Sequence, residues 1–298
     1  MTRILITFTC LFFCLNLNAE EPETFLSQEE ITTFYEQGYL IKRQCLSADE
    51  CKDLQEKLTA SVDQALDAIK NSKDQSISTS EQFLHIEGSK IIFKRPSSTS
   101  ISIARINGIG GMQPSLLEIG RSEKMLRTFF ALLGTSDLEH LIFQVHPKMP
   151  GDGIAFPKHR DIQFRQSYDP DWQDILGNGS YAICVIPVDP MTQENGGLWI
   201  DKNNYPTPQD KEEERVWIEA QPGDLLFMHP YLFHGSGPNL SPTASRKTLL
   251  TGFCAFGANH KTYPGTAINT RITLKDNNTI EMQPSPWGQP DPTSEGNH

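Results

Sequence analysis

The chain has 298 residues, 37% of them hydrophobic, which suffices for one large core or for a core domain with a small cap. Its formal net charge is −11 and no basic stripe is visible, so nucleic acid is not an expected partner. The acidic balance otherwise describes only a soluble surface.

The first 19 residues differ from the rest. Arg3 gives a positive start, an apolar run follows from Ile4 to Leu15 broken only by Thr7 and Thr9, and Asn18-Ala19 precedes Glu20-Glu21-Pro22. This pattern predicts a secretory signal peptide cleaved after Ala19, and with it export to the outside, a periplasm or a secretory-pathway lumen. The run is short for a bilayer span, so no stable membrane span is expected in the mature chain. Removing the leader leaves Cys45, Cys51, Cys184 and Cys254. Cys45 and Cys51 are near enough in sequence to pair, although spacing alone does not show it. Cys184 and Cys254 sit in apolar runs and read as buried thiols.

Residues 20–84 form a helical N-terminal part. Ser27-Gln28-Glu29-Glu30 is a capping-box pattern ahead of Ile31, Phe34 and Tyr35 on one helical face. Gly38 to Ile41 reads as a short strand. Ser47-Ala48-Asp49-Glu50 opens a longer helix with Leu54, Leu58, Val62 and Leu66 every fourth residue. Residues 71–84 are polar and predict a loop. From about 85 to 260 the texture is that of a barrel. Lys90–Phe93 and Ile101–Ile106 read as strands, and residues 115–133 as one helix. Apolar β-type runs follow at 140–146, 180–188, 197–200, 216–219, 224–229 and 247–256. Short strands with Gly, Pro and Asn between them indicate a mainly β sandwich or barrel. The domain is expected to end near 282, and the Pro-, Gly- and Ser-rich segment 283–298 reads as a disordered tail.

Two segments carry chemistry. In Lys158-His159-Arg160-Asp161, a strand would send His159 and Asp161 to the same side, so both can bind one metal. A His-x-Asp pair alone is weak. The second segment, Gln221 to Asn239, is more specific: Pro222-Gly223-Asp224 makes a tight turn, an apolar strand follows, and His234 comes next to Gly235-Ser236-Gly237. Arg246 stands just before the apolar run to Phe256 and can pair bidentately with a carboxylate deep in a barrel. Two histidines and one carboxylate leave coordination positions open, as non-haem iron(II) requires, although spacing excludes neither zinc nor manganese. His229 reads as structural or pocket-lining. His140, His146 and His260 read as surface or core residues, and the Glu194-Asn195-Gly196-Gly197 turn as a hairpin without chemistry.

With Gly38–Ile41, His159-Arg160-Asp161, Glu194–Leu198 and Gly223–Asn239 in place, the sequence resembles the phytanoyl-CoA dioxygenase family of iron(II)- and 2-oxoglutarate-dependent oxygenases, over about residues 27–256. The resemblance implies a double-stranded β-helix, a jelly-roll barrel with helices outside it. It implies iron(II) on His159, Asp161 and His234, with 2-oxoglutarate as co-substrate and ascorbate in support. Arg246 and Ser236 would hold the distal carboxylate of 2-oxoglutarate, and Gln144 and Arg105 would assist. Halogenating relatives lack the carboxylate ligand, so Asp161 implies oxygen insertion, with dioxygen as co-reactant and a small organic substrate hydroxylated. Relatives often carry a tryptophan where this chain has Ile186. A metal-dependent hydrolase or isomerase on a similar barrel, or a non-catalytic binding module, are the rival readings. The former needs no buried carboxylate clamp such as Arg246, and the latter has no reason to keep the four residues together.

Overall fold

The computed structural model describes residues 25–209 and 211–287; the predicted signal peptide and the last part of the predicted tail lie outside them. Both capping boxes form. The Ser27 hydroxyl accepts from the Glu30 amide at 3.2 Å and the Glu30 carboxylate from the Ser27 amide at 2.8 Å, opening α1 (Gln28–Gln37). Ser47 and Glu50 do the same for α2 (Ala48–Asn71), which buries Leu54, Leu58, Val62, Ala65 and Ile69. Between them β1 (Tyr39–Lys42) joins the main sheet rather than a helical cap.

The segment read as loop contains β2 (Ser78–Ile86), which pairs with β3 (Ser89–Ser97) through a Glu87-Gly88 turn at positive φ. Its polar sequence hid it because it is the last strand of its sheet, and an edge strand needs no continuous apolar face. The strand β4 (Ser100–Asn107) follows. The helix expected over 115–133 is broken: a 3-10 turn and α3 (Leu117–Gly120) end before α4 (Glu123–Leu133) begins. The break falls at Ser122, whose hydroxyl caps the amide of Met125 and starts a new helix.

The remaining elements are β5 (Asp137–Lys148), β6 (Phe156–His159), α5 (Asp161–Tyr168), β7 (Tyr181–Pro187), β8 (Leu198–Asp201), β9 (Arg215–Trp217), β10 (Leu225–Met228), β11 (His234–Ser236), β12 (Arg246–Ala255), β13 (Thr270–Leu274) and β14 (Ile280–Pro284). Every pairing among the described strands is antiparallel. The major sheet runs β1-β10-β7-β12-β5-β4-β3-β2, with β13 added to β5 and β14 to β13; the minor sheet runs β6-β11-β8-β9. One cavity is walled by β5, β7 and β12 on one side and β6, β8 and β11 on the other, so the two sheets face each other as a jelly roll. The sheet passes the expected end of the barrel at 260, and the tail expected from Gln283 is ordered at first. Gln283 pairs with Arg271, and the Ser285 amide reaches the carbonyl of Asn269 at 2.8 Å.

Cys45 and Cys51 are free thiols, and Cys184 and Cys254 are buried ones. Among the described residues no helix is long and apolar enough to cross a membrane. The helix α4 docks on the sheet through Phe129, which is fully buried, with its ring 4.5 Å from that of Phe253 and 5.8 Å from that of Phe227. Phe129→Ala is expected to destabilise the fold by about 3–5 kcal/mol. Urea unfolding followed by circular dichroism measures this, and a loss below about 1 kcal/mol would show that the helix is not held by this ring.

Candidate active site

The predicted triad assembles from three elements. His159 is the last residue of β6, and His234, the first of β11, is its direct partner in the ladder. Asp161 is not on a strand as expected but opens α5. It still projects to the side of His159 because Arg160 between them stays extended, at φ −120° and ψ 138°. The Ile162 amide donates to the carbonyl of Pro230 at 3.1 Å, tying the start of α5 to the turn that delivers His234.

The Nε2 atoms of His159 and His234 lie 3.8 and 3.7 Å from one carboxylate oxygen of Asp161, and the three potential ligand atoms all fall within 4.8 Å of one another. Each imidazole has Nδ1 against the carbonyl two residues earlier, Pro157 at 2.7 Å and Leu232 at 3.0 Å. Nδ1 therefore carries the proton and Nε2 presents its lone pair to the centre. Burial, with His234 beside it, pushes His159 down to about 4, which keeps it a neutral donor. The second oxygen of Asp161 is buried without a hydrogen-bond partner. A buried orphan of this kind, beside two Nε2 lone pairs, fits a divalent cation.

Gly235 follows His234 because a Cβ there would meet Trp199 at 2.6 Å. This close approach lets β11 pack between β6 and β8. Ser236 returns to the cavity side, and Ser236, Arg246, Gln144 and Arg105 all line the cavity with the triad. Arg246 is buried and makes no ion pair among the described residues. Its Nε and Nη2 donate to the carbonyl of Gly196 at 3.2 and 2.9 Å, and Nη1 to Thr248 at 3.0 Å. Three of five N–H donors are used, which leaves two for a ligand. Burial brings its pKa down to about 10, so it stays charged. Arg105 also pairs with Glu81 at 3.4 Å, so it reaches the cavity from a partnered position.

Three contributors were not legible beforehand. The turn at Glu194–Gly197 is not without consequence, since the Gly196 carbonyl fixes Arg246. Gly196 has φ +81°, and a Cβ there would lie 2.8 Å from the Gly237 carbonyl, so only glycine fits. Lys148, on β5 opposite Arg246, is buried behind Ser236 and donates to its hydroxyl at 2.7 Å and to the carbonyls of Gly196 and Gly237. This contact fixes the position of the Ser236 oxygen, which keeps further hydrogen-bonding capacity toward the cavity. His146 lines the cavity, stacked on Phe156 at 4.8 Å, with Nε2 unpartnered. The period-two spacing of Gln144, His146 and Lys148 on one apolar strand was the available signal.

His229 is structural: it is buried among Phe34, Tyr35, Tyr205 and Tyr231. Ile186 faces the core, while Tyr181, Ile183 and Val185 from the same strand form the cavity wall. Lys158 is held by Asp201 and Glu213, and Arg160 lies over the Phe233 ring.

The family model described as phytanoyl-CoA dioxygenase (PhyH) matches residues 34–248. The chain belongs to the phytanoyl-CoA dioxygenase family. It is 24% identical to a probable phytanoyl-CoA dioxygenase of Caenorhabditis elegans over 72% of each chain. It is 30% identical to the multifunctional dioxygenase prhA of Penicillium brasilianum, a match that spans 37% of this chain and only 38% of that protein. Among solved structures it is similar to EctD from S. alaskensis with 2-oxoglutarate and 5-hydroxyectoine, at a TM-score of 0.61 and 17% identity over 91% of this chain and 87% of that one. The same EctD has also been solved with bound Fe.

Lys148, buried behind the cavity, carries a measurable signature. Burial first, and the Arg246 guanidinium second, push its ammonium from 10.5 down to about 6. Between those two values the unfolded chain holds a proton that the folded chain does not. Stability therefore rises with pH across that window, by up to about 1.4 kcal/mol per pH unit. Lys148→Met removes the titrating group, and its urea-unfolding free energy is expected to be flatter than wild type between about pH 6.5 and 9.5. Equal slopes in the two proteins would mean that Lys148 stays protonated in the fold.

Proposed function

We propose that this chain is an iron(II)- and 2-oxoglutarate-dependent oxygenase that hydroxylates a small organic substrate, releasing succinate and carbon dioxide. The observation that carries the reading is the joint placement of an open three-ligand face and a cation without a counter-ion in one cavity. His159, Asp161 and His234 would hold the metal. Arg246, with two donors to spare, and Ser236, its oxygen fixed by Lys148, would take the far carboxylate of 2-oxoglutarate. Gln144 and Arg105, on the same wall, would make further contacts with the co-substrate. Iron(II), when bound, supplies the dioxygen chemistry that no acid–base side chain provides.

The protein's own part is binding, orientation and exclusion of water. The Nδ1 bonds to Pro157 and Leu232 fix both imidazole planes before any metal arrives. Apolar side chains from β7, β10 and β12 line the rest of the cavity, which keeps bulk water from the reacting centre. The cavity volume of about 200 Å³ is below the roughly 300–1,000 Å³ of pockets for drug-sized ligands, which favours a compact substrate over a large one. A hydrolase needs no such carboxylate clamp, and the spare donors of Arg246 weigh against that alternative. A non-catalytic module would have no use for the open metal face.

Purified chain supplied with iron(II), ascorbate and 2-oxoglutarate is expected to form succinate slowly without added substrate, and His234→Ala to form none. Absence of succinate together with absence of 2-oxoglutarate binding in calorimetry would sink the reading. Arg246→Met is expected to cost about 1.5–3 kcal/mol of co-substrate binding, a rise in Kd of about 10- to 150-fold. An unchanged Kd would place the co-substrate elsewhere in the cavity.

A further inference from the structure

One helical turn beyond Asp161 stands a guanidinium that the chemistry above does not use. Arg165 is 6% exposed and lines the same cavity. Two rings clamp it: its Cζ lies 4.7 Å from the ring centre of Tyr263 and 5.4 Å from that of Tyr181. Its Nε and Nη1 are buried with no hydrogen-bond partner, and it forms no ion pair among the described residues. The carboxylates nearest in sequence make no ion pair with it, and of these the charge of Asp161 acts on it from beyond ion-pair distance. Asp169 accepts from the amides of His260 at 2.6 Å and Asp171 at 3.1 Å, and Asp161 faces the two histidines. Contact with the two tyrosine rings accounts for the position of the charge but leaves the Nε and Nη1 donors unmatched. Unmatched donors on a buried cation are costly in a fold shaped only for stability, where an apolar side chain would serve better.

We propose that Arg165 anchors a carboxylate of the substrate, so that the substrate is a compact apolar acid. This deepens the oxygenase reading and rests on it for the role of the cavity. The two rings pack on Cζ and leave the Nε and Nη1 donors unmatched, and a guanidinium with free donors matches a carboxylate with two parallel hydrogen bonds. The surrounding wall suits an apolar body: Ile183, Met228, Pro264 and Ile268 line the cavity with it. Residues 161 and 165 lie on one face of α5, with Cβ atoms roughly 5–6 Å apart at that spacing. An acid held at Arg165 therefore places the C–H bonds nearest its carboxylate beside the triad. Arg246 opens β12, whereas Arg165 packs on Tyr181, which pairs with Cys254 near the far end of that strand, so co-substrate and substrate each have their own cation.

The test is calorimetric titration of the full chain, with Mn(II) and 2-oxoglutarate present, by linear carboxylates of four to eight carbons, matched primary amides and matched alkyl phosphates. Wild type is expected to bind at least one acid ten times or more tighter than its amide. Arg165→Gln is expected to erase that difference, and Arg165→Lys to keep part of it. Equal affinity for acids and amides in the wild type, or a preference for phosphates, overturns the proposal whether or not the variants fold. Loss of 2-oxoglutarate binding in Arg165→Gln also overturns it, because Arg165 would then serve the co-substrate. If wild type binds no 2-oxoglutarate yet discriminates acids from amides through Arg165, the oxygenase reading fails and the acid site stands.

Discussion

The site depends on one antiparallel pairing, β11 against β6, with His234 directly opposite His159. A slip of one residue would turn every side chain of β11 to the other face and take His234 out of the cavity. Several contacts hold the register. Gly235 fits against Trp199 where no side chain could, β11 pairs with β8 on its other edge, and the start of α5 is bonded to the carbonyl of Pro230. Asp161 is thereby locked to the same short segment as His234. The two histidines share a local device, Nδ1 on the carbonyl two residues back, so their tautomers are set by backbone geometry rather than by a distant partner.

Around that pairing the protein buries positive charge without matching negative charge. Arg246 and Arg165 are almost inaccessible and neither has a carboxylate in ion-pair contact among the described residues, while Lys148, equally buried, sheds its charge instead, its ammonium pushed down to about 6. Carbonyls and hydroxyls satisfy part of Arg246 and Lys148, and tyrosine rings satisfy part of Arg165. Each arrangement costs stability relative to apolar packing. The rest of the barrel supplies the margin: a continuous core runs from Leu26 through the major sheet to Ile272, with α2 and α4 packed against it. Functional sites are where local rules of stable packing are expected to give way, and here the departures cluster in one cavity.

The expectations that failed did so for local reasons. A polar edge strand, β2, was indistinguishable from loop because its solvent face carries the same residues a loop would. One helix became two because Ser122 offered a cap in the middle of an apolar run. The tail was read from composition, yet Gln283 and Ser285 are ordered by backbone bonds to Arg271 and Asn269, which composition does not encode. The departure at Ile186 proved immaterial to the cavity, since alternation along β7 sends its neighbours inward instead.

The sequence by itself determined the elements whose signals are short-range. Two capping boxes, the period-two strands, the tight turn at Pro222-Gly223-Asp224 and the His-Gly-Ser-Gly segment all act over a few residues, so they could be read in order along the chain. The resemblance they carried was enough to assign the triad, Arg246 and Ser236 to one site. Only the tertiary structure decided which buried cations lack partners. Lys148 follows the apolar run at 140–146 and Arg165 lies on the polar helix α5, and neither local segment shows what the side chain meets. Whether such a group meets a carboxylate or an empty cavity depends on strands and loops far away in sequence, and contact at that range is a property of the packed fold.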